Sequence, residues 1–158
     1  MVTREYLQSH ALFGGVDDDA MADIIPLRRH ETYTKGAYVV RERDPESQMY
    51  FIRTGTVEVV KFSDTQAREL RLVILNEGDT FGEMELIDIQ SRSASVRALE
   101  NLTVLTLSSE DMYEIFERNQ AAFIIMLMNI AREISRRLRK MDALVASSLY
   151  SDPDPVAD

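Results

Sequence analysis

Between Arg28 and Leu107 the chain is a succession of short runs of β-branched and aromatic residues, each closed by a turn former. The runs are Tyr38–Arg41, Met49–Arg53, Thr56–Lys61, Leu70–Leu75, Ala94–Ala98 and Thr103–Leu107. Between them lie Thr34–Gly36, Asp44-Pro45, Thr54-Gly55 and Asn76–Asp79. Short strands at this spacing predict an antiparallel roll or barrel. Helical signals flank the stretch. Asp17, Asp18 and Asp19 place negative charge at the start of a helix over Ala20–Ile25, which Pro26 ends. Ser108–Asp111 can cap a helix running through Glu117, and a longer one follows from about Gln120 to about Ala146. Strands followed by a long helix give an α+β class. The predicted architecture is an antiparallel β-roll, jelly-roll-like (a double-stranded β-helix), over residues 28–107. Short N-terminal helices occupy 3–26, C-terminal helices 109–146, and a polar tail at 147–158 with two prolines is expected to be disordered.

Composition narrows the function. A chain of 158 residues is the size of one domain with a real core. It has no cysteine, which excludes disulfides and thiolate metal sites and fits a reducing cytoplasm. No run approaches the roughly 20 apolar residues of a membrane span; the longest, Ala121–Ile130, is interrupted by Asn129. The net charge of −9 opposes generic nucleic-acid binding. Residues 132–140 depart from it, with five basic side chains and one acidic.

The segment from Gly78 to Arg97 carries the chemistry. Gly82 permits a tight turn with close backbone approach. Glu83–Asp88 can form a short helix whose first N–H groups suit a phosphate. Arg92 follows, and its planar guanidinium can grip two phosphate oxygens. Glu83 is an acceptor matched to a sugar hydroxyl. Taken alone, each feature is common, and a lone Arg92 would be read as a surface charge near a strand start.

Together they are specific. Phe81-Gly82-Glu83-Met84-Glu85-Leu86 and then Ser91-Arg92-Ser93-Ala94-Ser95-Val96 resemble the phosphate-binding cassette of the cyclic-nucleotide-binding domain family. That family includes the bacterial catabolite activator, the regulatory subunits of cAMP- and cGMP-dependent kinases, and cyclic-nucleotide-gated channels. Leu75–Asp79, Tyr50–Ile52 with Gly55, Lys35-Gly36 and Leu12-Phe13 extend the likeness over about residues 11–145. The resemblance implies that Arg92 pairs with the cyclic phosphate and that Gly82 and Glu83 contact the ribose. Backbone N–H groups around Leu86, with Ser93, complete the cradle, and Met84 and Ala94 belong to the same cassette. Leu72, Val73 and Leu75 are candidates for an apolar wall beneath the base, or equally ordinary core residues of a strand. A hydroxyl at Ser93 can reach a guanine amino group, so cGMP stands beside cAMP, the commoner bacterial ligand of the family. No cofactor beyond the nucleotide is expected. Two departures stand out: Ser91 replaces a proline, and Glu85 replaces a small residue. A carboxylate at Glu85 would repel a phosphate unless it pointed to water.

Leu127, Ala131, Ile134, Leu138, Met141 and Val145 are spaced 4-3-4-3-4, a heptad stripe suited to a two-helix seam and hence a homodimer. Arg136 and Arg137 flank the position where the resemblance places a lid residue over the base, and Arg137 stacked on a purine would gain about 0.5–2 kcal/mol. The alternative is a solvated helix face. The tail after this helix, SSLYSDPDPVAD, cannot form a recognition helix, so direct DNA binding is not expected. No nucleophile–base pair suggests an enzyme. A haem sensor would have only His10 and His30 as ligands. The expected function is sensing of a cyclic nucleotide, cAMP before cGMP, signalled by movement of the lid helix to an unnamed effector protein. The alternative is a nucleotide-independent dimerisation module of the same fold.

Overall fold

Met49, Tyr50, Phe51 and Ile52 are all buried, although a strand points successive side chains to opposite faces. A computed structural model, which describes residues 4–149 except 64, 66 and 89, gives the reason. The strand they belong to is covered on both sides. Element order is α1 (Arg4–Ser9), a 3-10 turn (Ala11–Phe13), α2 (Asp18–Ile24), then β1 (Arg29–Tyr33), β2 (Tyr38–Val40), β3 (Gln48–Thr54), β4 (Val57–Ser63), β5 (Arg68–Leu75) and β6 (Thr80–Phe81). After these come α3 (Glu83–Asp88), β7 (Ser95–Ala98), β8 (Leu102–Ser108), α4 (Ser109–Arg118) and α5 (Gln120–Leu149).

The strands form two four-stranded antiparallel sheets, β1-β8-β3-β6 and β2-β7-β4-β5. Their facing surfaces enclose one core, with Tyr50, Ile52, Phe81 and Val104 from the first sheet and Val40, Val57, Leu75 and Val96 from the second. The opposite face of the first sheet contributes Met49, Phe51, Leu105 and Leu107 to a second core, closed by Leu7, Phe13, Met21, Ile115, Met126 and Ile130 from the helices. The β-roll with short N-terminal helices and a long C-terminal helix is the architecture expected from the sequence. Each of the six apolar runs lies in a strand to within one residue.

Local chemistry sets the boundaries. Asp17 caps α2 by accepting from the Ala20 N–H, and Ser108 and Asp111 form a reciprocal capping box at the start of α4. Strand β1 carries no apolar run; it is a mostly exposed strand that pairs with β8. The long helix continues through Leu149, three residues beyond the expected Ala146, so the first three residues of the expected disordered tail are helical. The rest of that tail and position 3, expected to begin the first helix, lie outside the described residues. On the second sheet, Glu58 receives Arg71 and Arg97 at 2.6 Å each. Burial works to raise the Glu58 carboxyl, but the bonds from Arg97 and Arg71 outweigh it and leave it below the usual carboxylate range.

Candidate functional site

Strand β6 is only two residues long, paired to Tyr50 and Phe51 of β3, and it delivers the chain to Gly82 at φ +80°. A Cβ at this position would lie 2.6 Å from Arg92 Nη1 and 2.6 Å from the Gln48 carbonyl oxygen. Glycine is required there on two counts, backbone sign and space. The turn opens directly into α3, which spans Glu83–Asp88 as the sequence suggests.

Arg92 is 2 % exposed. Its main chain is held by the β2–β3 connection, its N–H donating to the Asp44 carbonyl and its own carbonyl accepting from Arg43. The guanidinium donates to the Gln48 carbonyl at 2.7 Å, weakly to the Gly82 carbonyl at 3.4 Å, and to Glu85 Oε2 at 3.1 Å. It sits 5.6 Å from the centre of the Tyr50 ring, which is stacked on Phe81. Its Nε is buried without a partner. The other oxygen of Glu85 accepts from the Ser93 N–H at 3.2 Å. Ser47 ties α3 to the same loop by donating to the Glu85 carbonyl.

This corrects one expectation. Glu85 does not point to water: it is 6 % exposed and bridges the guanidinium and the Ser93 amide. A carboxylate beside a buried guanidinium is attracted, and burial strengthens that attraction.

Glu83 is buried one residue beyond Gly82. Its Oε1 accepts from Arg137 Nη1 at 2.6 Å, while Oε2 is buried with no partner. Burial pushes the Glu83 carboxyl above the ordinary carboxylate range, and the Arg137 charge pulls it back in part. Arg137 also donates to the Thr80 carbonyl at 2.6 Å and to Glu133 at 3.1 Å. The guanidinium predicted to stack on a base is therefore engaged with Glu83, Thr80 and Glu133. Arg136 is paired with Glu133 instead.

The structure places Gly82, Arg92 and Ser93 in one set of contacts around Glu85 and Glu83 with Arg137 in another, the two adjoining at Gly82-Glu83. Met84 and Ser93 are exposed, and Leu86 and Ala94 are half-buried. Val73 pairs with Val59 and shares its face of the sheet, yet is 46 % exposed; Leu72 is the extra residue of a β-bulge and is also exposed. Neither is an ordinary core residue, whereas Leu75 is buried in the roll. A cavity of about 300 Å³ is lined by His10, Asp79, Thr80, Glu83, Ile130 and Arg137 among others, but not by Arg92, Leu72 or Val73. Its size is at the lower limit for a small-molecule site.

Sequence reasoning missed two contacts that hold the N-terminal segment, one from α5 and one to the turn before β6. Asn129, which looked like a break in an apolar run, donates to the Leu12 carbonyl at 2.8 Å and the Gly14 carbonyl at 2.9 Å and pins the helix to the 3-10 turn. His10 reaches the Gly78 carbonyl with Nε2 at 2.8 Å while Nδ1 accepts from the Leu12 N–H. Both of its ring nitrogens are thereby occupied, which leaves none for a haem iron. In the stripe Leu127, Ala131, Ile134, Leu138, Met141 and Val145, only Ile134 is half-buried and the rest are exposed.

The family model of the cyclic nucleotide-binding domain matches residues 30–119, more than half of the chain and the whole of the cassette. The chain belongs to the cyclic nucleotide-binding domain family. It is 28 % identical over 141 residues to human cGMP-dependent protein kinase 2, covering 87 % of this chain and 18 % of the kinase. It is 27 % identical over 136 residues to the cyclic AMP receptor protein of Thermus thermophilus, covering 86 % of this chain and 61 % of that protein. The chain thus spans less than two thirds of the length of either relative. A cyclic nucleotide-binding domain from Methylobacillus flagellatus superposes with a TM-score of 0.82 at 20 % identity, covering 96 % of this chain and 84 % of that one, which is a likeness of fold. No helix among the described residues is long and apolar enough to cross a membrane.

Proposed function

We propose that this domain senses a cyclic nucleotide, cAMP in preference to cGMP, and passes the signal through α5 to a partner protein, with no catalysis or DNA contact of its own. The carrying observation is the presence of two unmet demands in one cassette, one at the start of α3 and one on the loop after it. Arg92 is a buried cation with an unpartnered Nε, and Glu83 is a buried carboxylate with an unpartnered oxygen. Buried polar atoms are seldom left so, and a ligand is a standard explanation. A cyclic phosphate supplies acceptors for the first, and a ribose hydroxyl supplies a donor for the second. The exposed Leu72 and Val73 offer apolar surface for a base. No cofactor is needed. The preference for cAMP follows the likeness to the Thermus receptor; the likeness to the cGMP-dependent kinase covers as much of this chain, so titration with both nucleotides decides between them. The exposed α5 stripe supports a homodimer, and a cytoplasmic site of action is consistent with a cysteine-free chain.

In this mechanism Glu83 links ligand to output. Its carboxylate holds Arg137 of α5, so a hydroxyl arriving at the same group alters the tie between cassette and helix. The ligand then favours one of two helix positions by binding it more tightly.

A second reading has its own support. Glu85 already fills the space beside Arg92, as expected of a nucleotide-independent dimerisation module. Titration calorimetry with cAMP and cGMP, on the wild type and on Arg92→Gln, separates the two. Binding to the wild type that weakens at least about 100-fold in the variant is the expected result, equivalent to losing charge-assisted bonds worth about 1.5–3 kcal/mol each. A thermal shift gives the same answer, because ligand at 100 times its Kd stabilises the fold by about 2.7 kcal/mol. Equal affinity in both proteins would exclude the phosphate role of Arg92. No uptake by the wild type or by Glu85→Ala would favour the second reading.

A further inference from the structure

Glu85 is held as a ligand would be held. One of its oxygens faces the buried guanidinium of Arg92 and the other the backbone N–H of Ser93, so a side-chain and a main-chain donor of consecutive residues converge on one anion. The grip is slack. At 3.1 and 3.2 Å these contacts are longer than the roughly 2.7–2.9 Å usual for charged N–H···O pairs. The same guanidinium reaches the neutral Gln48 carbonyl at 2.7 Å, and its Nε takes no acceptor at all. The seat thus has more donor capacity than a planar carboxylate tethered to α3 can use. A free tetrahedral oxyanion, with more acceptor oxygens and no tether, can use it better.

We propose that the Glu85 carboxylate is an internal anion that occupies the cassette's phosphate seat, so that any phosphate ligand must displace it. The consequence for signalling rests on the nucleotide reading above: Glu85 raises the ligand concentration at which this domain responds. An internal anion seated nine times in ten lowers apparent affinity about tenfold, because only the vacant fraction binds. Its tether gives it a high effective concentration at no cost in encounter. Expelling Glu85 also frees α3 from Ser93, a local rearrangement that ordinary filling of an empty pocket would not produce.

The test uses the full chain and two probes. Inorganic phosphate is added to the wild type, Glu85→Ala and Glu85→Gln at ionic strength matched with chloride, and melting temperature is followed. Glu85→Ala is expected to melt lower than the wild type and to recover progressively with phosphate but not with chloride. Glu85→Gln is expected to show a smaller phosphate response and the wild type none. If Glu85→Ala does not fold without phosphate, its refolding yield in phosphate against chloride reads the same property. Absence of any phosphate-specific effect on either variant overturns the proposal. Cyclic nucleotide is then titrated, and Glu85→Ala is expected to bind about tenfold tighter than the wild type. Phosphate rescue without nucleotide binding to any of the three proteins would leave the internal anion in place and remove the nucleotide reading. Nucleotide binding of equal strength in wild type and Glu85→Ala, without phosphate rescue, would do the reverse.

Discussion

Arg137 donates to Glu83 across 2.6 Å and 54 residues of sequence, and this pair joins the first residue of α3 to the outer half of the long helix. Glu83 is 5 % exposed at its side chain and Arg137 29 %, so removing Arg137 strands a mostly buried carboxylate. A fully buried pair broken this way costs about 3–5 kcal/mol, and partial solvent access to the arginine reduces that. Arg137→Ala should therefore lower stability by about 1–2 kcal/mol in denaturant melts. It should also speed hydrogen exchange in α5 beyond residue 133, because the bonds to Glu83 and the Thr80 carbonyl are lost together. Unchanged exchange in the outer helix would show that the pair does not hold it.

Gly82→Ala meets two obstacles at once. The backbone stands at φ +80°, and the added methyl would be placed 2.6 Å from both Arg92 Nη1 and the Gln48 carbonyl. The carbonyl belongs to β3 and cannot move cheaply, so the guanidinium must. A loss of about 2 kcal/mol or more is expected, combining a left-handed non-glycine residue with overpacking. The phosphate response of a Glu85→Ala background should vanish when Gly82→Ala is added. A double variant that keeps that response would mean Arg92 is not the seat.

How much of this was legible in the sequence depends on the range over which each residue acts. The six apolar runs, Gly82, and the short helix after it follow from local propensity and turn chemistry, and they were readable. Strand β1 was not, because Arg29–Tyr33 has neither an apolar run nor a buried face; it is a strand only through its pairing with β8. Glu85 was read in the wrong direction. Judged against an absent phosphate its charge is repulsive, whereas judged against Arg92 seven residues on it is attractive, and only packing decides which neighbour it meets. Asn129 and Arg137 were visible as polar residues on a helix, but their partners lie 117 and 54 residues away. No periodicity records such contacts.

The outer part of α5 makes a prediction about assembly. Leu138, Met141 and Val145 are 56–60 % exposed on one stripe of a 30-residue helix. An apolar stripe with heptad spacing left in water is the pattern of an unfilled two-helix seam. Leu138→Asp with Met141→Asp should shift sedimentation from dimer to monomer, since two carboxylates facing two more across a seam repel. The roll itself should melt within about 0.5 kcal/mol of the wild-type monomer, as expected of surface substitutions. A wild type that sediments as a monomer at high concentration would remove the seam.

The last prediction concerns acid. His10 stands between Phe13 and Phe51 with its ring edge-on to both, donating from Nε2 to the Gly78 carbonyl and accepting at Nδ1 from the Leu12 N–H. Only the neutral ring with its proton on Nε2 satisfies both contacts. Burial lowers its pKa below 6.5, against the raising influence of the Gly78 carbonyl, Glu133 and Asp79. In the unfolded chain the imidazole binds its proton near the ordinary value, so below pH 6.5 the unfolded state holds more protons than the folded one. Stability from this site is full above pH 6.5 and declines as pH falls through that value. Glu83, whose carboxyl is raised, contributes the opposite slope in the carboxylate range, so the wild-type curve alone mixes the two. The difference between wild type and His10→Gln isolates the histidine, because glutamine offers an acceptor and a donor but no titration. That difference should favour the wild type less and less from pH 7 to pH 5, and a difference independent of pH would mean that His10 titrates as it does in water.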